Sequence, residues 1–103
     1  MSLTFKDVKV VGFSANNPTV SSSATFSAPV NEATVAIKSF SLTNDRDREA
    51  KFIKVGIDST SINGNTVNFV ASMSFQNAGI GDNDCLESGM IDVVVLADLV
   101  AAP

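Results

Sequence analysis

The stretch that decides the fold is Ile53–Phe75, IKVGIDSTSINGNTVNFVASMSF. Ile53, Val55 and Ile57 alternate with Phe52, Lys54 and Gly56, and further on Val67, Phe69, Ala71, Met73 and Phe75 alternate with Asn68, Val70, Ser72 and Ser74. A period of two is that of a strand, whose successive side chains go to opposite faces. Between the two runs lies Ser61–Thr66, and its Asn63-Gly64 pair supplies the positive φ angles that predict a type I′ turn. The stretch therefore reads as a β-hairpin.

The same period extends outward. Val35 and Ile37 share one parity and Phe40 and Leu42 the other, which predicts a β-bulge near Lys38 and Ser39. Leu3–Phe13 and Thr19–Phe26 read as strands separated by a turn at Asn16-Asn17-Pro18, and Ala28-Pro29 ends the second. Met90–Leu99 is apolar on nearly both parities, predicting a central strand covered on two sides, with Asp92 and Asp98 at its less covered ends. Only Asp45–Phe52 has the composition of a helical turn. Asn77–Gly89, with Gly79, Gly81 and Gly89, is the longest irregular segment, and such loops are disproportionately functional. The expected fold is all-β: one domain over residues 1–103, a small antiparallel β-sandwich of about seven strands. A small closed barrel has the same strand pattern.

Composition narrows the chemistry. The chain has no His, Trp or Tyr and one Cys. Without His, the usual imidazole base of nucleophilic triads is missing, and no side chain has an ordinary pKa near neutrality apart from the thiol range. One cysteine allows no intrachain disulfide, and there is no Cys/His cluster for zinc. Met1–Phe13 is interrupted by Lys6, Asp7 and Lys9 and has no apolar run of signal-peptide length. The longest apolar stretch, Val93–Ala97, is far short of a membrane helix, so a soluble protein with no membrane partner is expected.

The net charge is −4, and its distribution is uneven. All seven basic residues, Lys6 to Lys54, precede Val55, and from there on the only charges are Asp58, Asp82, Asp84, Glu87, Asp92 and Asp98. Nucleic-acid binding draws on Lys and Arg against phosphate and on stacking aromatics, so no nucleic-acid partner is expected.

Four local features bear on a site. Asp82-Asn83-Asp84, with Glu87, sets hard oxygen donors in a glycine-containing loop, as Ca²⁺ requires, but lacks the EF-hand spacing; a solvated acidic loop is the plainer reading, and no metal ligand is assigned. Arg48, in the alternating run Asn44–Glu49, has the donor fork to meet a carboxylate or sugar hydroxyl, against the alternative of self-neutralised surface ion pairs. Cys85 lies among Asp82, Asp84 and Glu87, which disfavour its thiolate and argue against a nucleophile. Paired carboxylates for glycosidase chemistry would need a cleft flanked by two positioned acids. The seven Phe residues fall mostly on strand faces, which points to core packing.

Thr25-Phe26-Ser27-Ala28-Pro29-Val30, then Ala33–Ile37, then Ile53-Lys54-Val55 with Thr66–Phe69 after a turn, and finally Ser88–Val93, resemble the H-type lectin domains over Thr25 to Ala97. The resemblance implies a six-stranded antiparallel sandwich, a trimer of parallel protomers, and carbohydrate binding at subunit junctions. The chain departs from the family's sugar site: Lys51 or Lys54 stands for an Arg, Phe75-Gln76 for a Trp-His pair, and Asp92 or Val93 for the closing Trp, with no Tyr anywhere. The resemblance thus extends to the scaffold more than to the site.

These readings converge on a non-enzymatic recognition or assembly module that needs no cofactor. Its mean hydropathy of +0.23 and Val- and Ile-rich strands call for covering, hence an expected homo-oligomer, with the trimer favoured by the resemblance. One version is a lectin-like glycan binder with Arg48, Phe75, Asp82 and Asp84 as ligand-binding residues. The other is a structural or assembly subunit, of virion or appendage type, with no small ligand.

Overall fold

The computed structural model of the chain describes residues 2–14, 16–44, 50–77 and 86–100. They form six strands: β1 (Ser2–Phe13), β2 (Thr19–Thr25), β3 (Val30–Asn44), β4 (Ala50–Asn63), β5 (Thr66–Asn77) and β6 (Leu86–Leu99). Two three-stranded antiparallel sheets result, ordered β1-β6-β3 and β2-β5-β4. Among the described residues the count is six and not about seven, and the phase change at Lys38 falls inside one continuous β3, as the expected bulge requires. The register against β6 slips between Ile37 and Ser39, so Val35, Ile37, Phe40 and Leu42 stand opposite Val95, Val93, Ile91 and Gly89. The bulge brings both parities of the sequence to one face.

The expected hairpin is β4–β5, but its turn differs. Asn63 pairs with Thr66, leaving Gly64-Asn65 as the two-residue loop. Gly64 has φ +64° and no described non-glycine residue has a positive φ, so only the first central position is left-handed, the pattern of a type II′ turn. Asn65 is thereby free to clamp the β2–β3 connection. Its Nδ2 donates to the Phe26 carbonyl at 2.9 Å and its own carbonyl accepts from the Phe26 N–H at 2.8 Å. The Gly64 carbonyl accepts from the Val30 N–H at 2.9 Å.

Residues 45–49 of the expected helical turn lie outside the described residues, and Ala50, Lys51 and Phe52 open β4 as strand. Pairing of Ala50 with Asn77 and Phe52 with Gln76 gives these backbones ladder partners that a single costly helical turn does not match. The irregular segment is also shorter than its glycines imply, since β5 runs to Asn77 and Gly89 lies within β6.

Fourteen hydrophobic side chains form one buried cluster, drawn chiefly from β5 (Val67, Phe69, Ala71, Met73) and β6 (Ile91, Val93, Val95, Ala97, Leu99). Val10 and Phe13 of β1, Ala24 of β2, and Phe26 and Val30 complete it. Lys6 faces the core side, opposite Val95, yet it snorkels out: its ammonium donates to the Thr25 carbonyl and sits 5.7 Å from the centre of the Phe26 ring. The β1/β2 side of the core is thus closed. On the opposite side, β4 contributes no described side chain to the buried set and β3 contributes only Val30.

The molecule is a lath, 59 × 19 × 16 Å, with a radius of gyration of 16.1 Å. A compact chain of this length has about 13 Å. Long strands in narrow sheets cause the difference, and they leave much of the apolar sequence near water.

Candidate functional site

Of the four residues expected to bind a ligand, Arg48, Asp82 and Asp84 lie outside the described residues, as does Cys85. Phe75 is placed by its backbone, opposite Ile53 near the end of β5. Asn44 pairs with Leu86 and Ala50 with Asn77, so the described residues on either side of 45–49 and 78–85 gather at one end of the lath. The side chains of the expected ligand set therefore all lie outside what the structure describes. Among the described residues no group of three or more His, Cys, Asp or Glu side chains is arranged to hold a metal ion. No described helix is long and apolar enough to cross a membrane.

The described surface has a feature that the sequence reading underestimated. β6 is central by hydrogen bonding, flanked by β1 and β3, but it is covered on only one face. On the outer face, Phe5 stands opposite Leu96, Asp7 opposite Val94, and Val11 opposite Met90. Leu3 is 76% exposed, Phe5 62% and Leu96 36%. Apolar side chains therefore lie toward both ends of this face, separated by a polar middle in which Lys9 and Ser39 both stand opposite Asp92. Lys38 donates to Asp7 at 3.1 Å, and the Ser39 hydroxyl donates to Asp92 at 3.2 Å.

Two shallow depressions lie on this face. The first, about 260 Å³, is lined by Leu3, Leu96, Ala33 and Thr34 with the carboxylates of Glu32 and Asp98. Glu32 and Asp98 are cross-strand partners, a like-charge juxtaposition that ordinarily costs stability. Asn31 Nδ2 reaches Asp98 Oδ2 at 3.5 Å, while Asp98 Oδ1 is buried with no hydrogen-bond partner. The second depression, about 300 Å³, lies toward the other end between Val11, Gly12, Ser41 and Met90.

The signal for this face was present in the sequence. Leu3, Phe5 and Val11 occupy one parity of β1 while Val8 and Val10 occupy the other, the same two-sided pattern that marks Met90–Leu99. Two adjacent strands with apolar residues on both parities announce a sheet with two apolar faces. Compared with known protein families, with characterised proteins and with solved structures, the chain has no match in any of the three.

Proposed function

We propose that the chain is a non-enzymatic recognition and assembly module that works as a homo-oligomer. The observation that carries this reading is the uncovered apolar patch of Leu3, Phe5 and Leu96 on the outer face of β1-β6-β3. Exposed apolar patches of this kind mark association surfaces, and burying them against a copy removes them from water. The elongated shape supports the same reading, because a lath gains by lateral packing what its narrow core lacks. In this reading the two sheets stack as a face-to-face sandwich, supported by the single cluster to which both β5 and β6 contribute. The absence of His supports a role without acid–base chemistry. Sedimentation velocity over a concentration series tests the proposal: reversible or stable oligomers are expected, and a monomer at every concentration refutes it.

A lectin-like glycan binder is the second reading, favoured by the 260 Å³ depression. Glu32 and Asp98 offer acceptors for sugar hydroxyls beside the apolar Leu3 and Leu96, against which a sugar's C–H face packs. Two sheets of three strands also match the strand count that the H-type lectin resemblance implies. A glycan panel run with calcium and with chelator tests it. Binding to one sugar class, lost in Asp98→Asn, supports this version, and silence from a folded oligomer leaves the assembly subunit.

A further inference from the structure

Of all the asparagines in the chain, Asn63 alone is followed by glycine. A type I′ turn would use Asn63 at a left-handed position, but the register leaves it as the last ladder residue of β4, opposite Thr66, with the turn built on Gly64-Asn65. Asn63 is exposed, and its carboxamide takes part in none of the side-chain hydrogen bonds among the described residues. The Gly64 carbonyl is bound by the Val30 N–H, whereas the Gly64 N–H donates to no backbone carbonyl of the described turns and loops. A Cβ built on Gly64 would meet nothing within 4 Å, so this nitrogen lies in open space. A solvated carboxamide and an unbonded backbone nitrogen thus stand one residue apart.

We propose that Asn63 is a site of spontaneous deamidation, held in check by the hydrogen bonds that clamp the β4–β5 turn to the β2–β3 connection. The Gly64 nitrogen, having lost its proton to hydroxide, attacks Asn63 Cγ; the new C–N bond closes a five-membered succinimide, and the carboxamide nitrogen departs as ammonia. Water then adds to one imide carbonyl and breaks its bond to nitrogen, leaving aspartate or isoaspartate at position 63. Glycine suits the step because no side chain shields the attacking nitrogen. The folded backbone opposes it. Paired with Thr66, Asn63 is extended, which turns the next nitrogen away from its own Cγ, so ring closure requires a large rotation about ψ of Asn63. That rotation displaces Gly64 and Asn65. It therefore breaks the Val30 bond to the Gly64 carbonyl, at 2.9 Å, and the two bonds between Asn65 and Phe26, at 2.8 and 2.9 Å. Turn opening thus sets the folded-state rate. The main product also acts on the fold: isoaspartate adds a methylene to the main chain, so Thr66 loses its partner in register and the clamp does not close again. Either product adds one negative charge.

Ageing of the whole chain in mildly alkaline buffer, folded and in denaturing urea, tests this assignment, followed by peptide mass mapping and by enzymatic methylation of isoaspartate. A gain of about 1 Da is expected at Asn63 ahead of every other asparagine, and more than about tenfold faster in urea than in the folded chain. Asn63→Gln should leave the position silent, since its longer side chain would have to close a six-membered ring. Asn65→Ala, shown folded by circular dichroism, should modify about two- to tenfold faster than wild type, the factor by which one lost hydrogen bond raises an opening equilibrium. The modified chain, separated by ion exchange on its added charge, should unfold at lower urea than the fresh chain. No gain at Asn63 in urea overturns the site. Equal rates folded and in urea, or a folded Asn65→Ala no faster than wild type, overturn the clamp as its restraint; should Asn65→Ala not fold, the comparison of folded and urea-treated wild type decides.

Discussion

The space beside Gly89 of β6 is filled by the side chain of Met73 of β5. A Cβ on Gly89 would overlap the Met73 sulfur, lie 3.2 Å from its Cε, and come within 3.4 Å of the Ser41 carbonyl oxygen. The carbonyl contact is ordinary, so Met73 must give way, and at 1% exposure it has little room to move; Gly89→Ala is expected to lose about 1–2 kcal/mol by overpacking. Adding Met73→Ala should remove the overlap, so the two effects combine to less than their sum. A double-mutant cycle by urea denaturation measures the coupling, and strict additivity would contradict the contact.

Phe69 and Phe5 are a paired control for what holds the chain together. Phe69 is fully buried on the central strand β5, so Phe69→Ala is expected to cost about 3–5 kcal/mol, much of the stability of a domain this size. Phe5→Ser, on the outer face, should change the stability of the dissociated chain by no more than about 0.5 kcal/mol. Thermal unfolding under dissociating conditions checks both.

At the β4–β5 turn, Gly64→Ala places a Cβ in left-handed backbone and is expected to cost about 1 kcal/mol. Asn65→Ala should cost a similar amount, about 1–2 kcal/mol, by removing the amide that satisfies the Phe26 carbonyl. Chemical denaturation of the two single variants and the double separates the backbone effect from the clamp.

The Lys38–Asp7 pair is half-exposed at both ends, so Asp7→Asn is expected to change stability by less than about 1 kcal/mol, and by still less in high salt. A large, salt-insensitive loss would mean that this pair is desolvated in an assembly.

Strand placement was legible because one face of each strand is turned to the core, which imposes a period of two on Val67–Met73 and, half-buried, on Val55 and Ile57. The bulge was legible for the same reason: only an extra residue at Lys38 returns Phe40 and Leu42 to the side of Val35. Turn type was not, since Asn63-Gly64 and Gly64-Asn65 are overlapping pairs and the register of Asn63 with Thr66 chooses between them. The uncovered face was half legible. Apolar residues on both parities of Met90–Leu99 indicate two apolar faces, but an intramolecular sheet and a neighbouring molecule are equally good covers, and local sequence does not distinguish them. Of the expected ligand set Arg48, Phe75, Asp82 and Asp84, no side chain falls within what the structure describes, and the depression at Glu32 and Asp98 was not legible because their pairing depends on long-range register.

The nesting of the strands has a kinetic consequence. Only β4 and β5 pair through a short turn; β2 meets β5 across 41 residues at the nearest pair, Thr25 and Thr66, and β1 joins β6 from Ser2 opposite Leu99. Each of these later ladders closes a long loop before it gains hydrogen bonds or burial, which places refolding in the range of about milliseconds to seconds. The β4–β5 hairpin is the cheapest nucleus, and β1 is the strand with most chain to wait for. Until β1 docks, the core side of β6 lacks Val10 and Phe13, and its hydrogen-bonding edge stays open to the same edge on another chain.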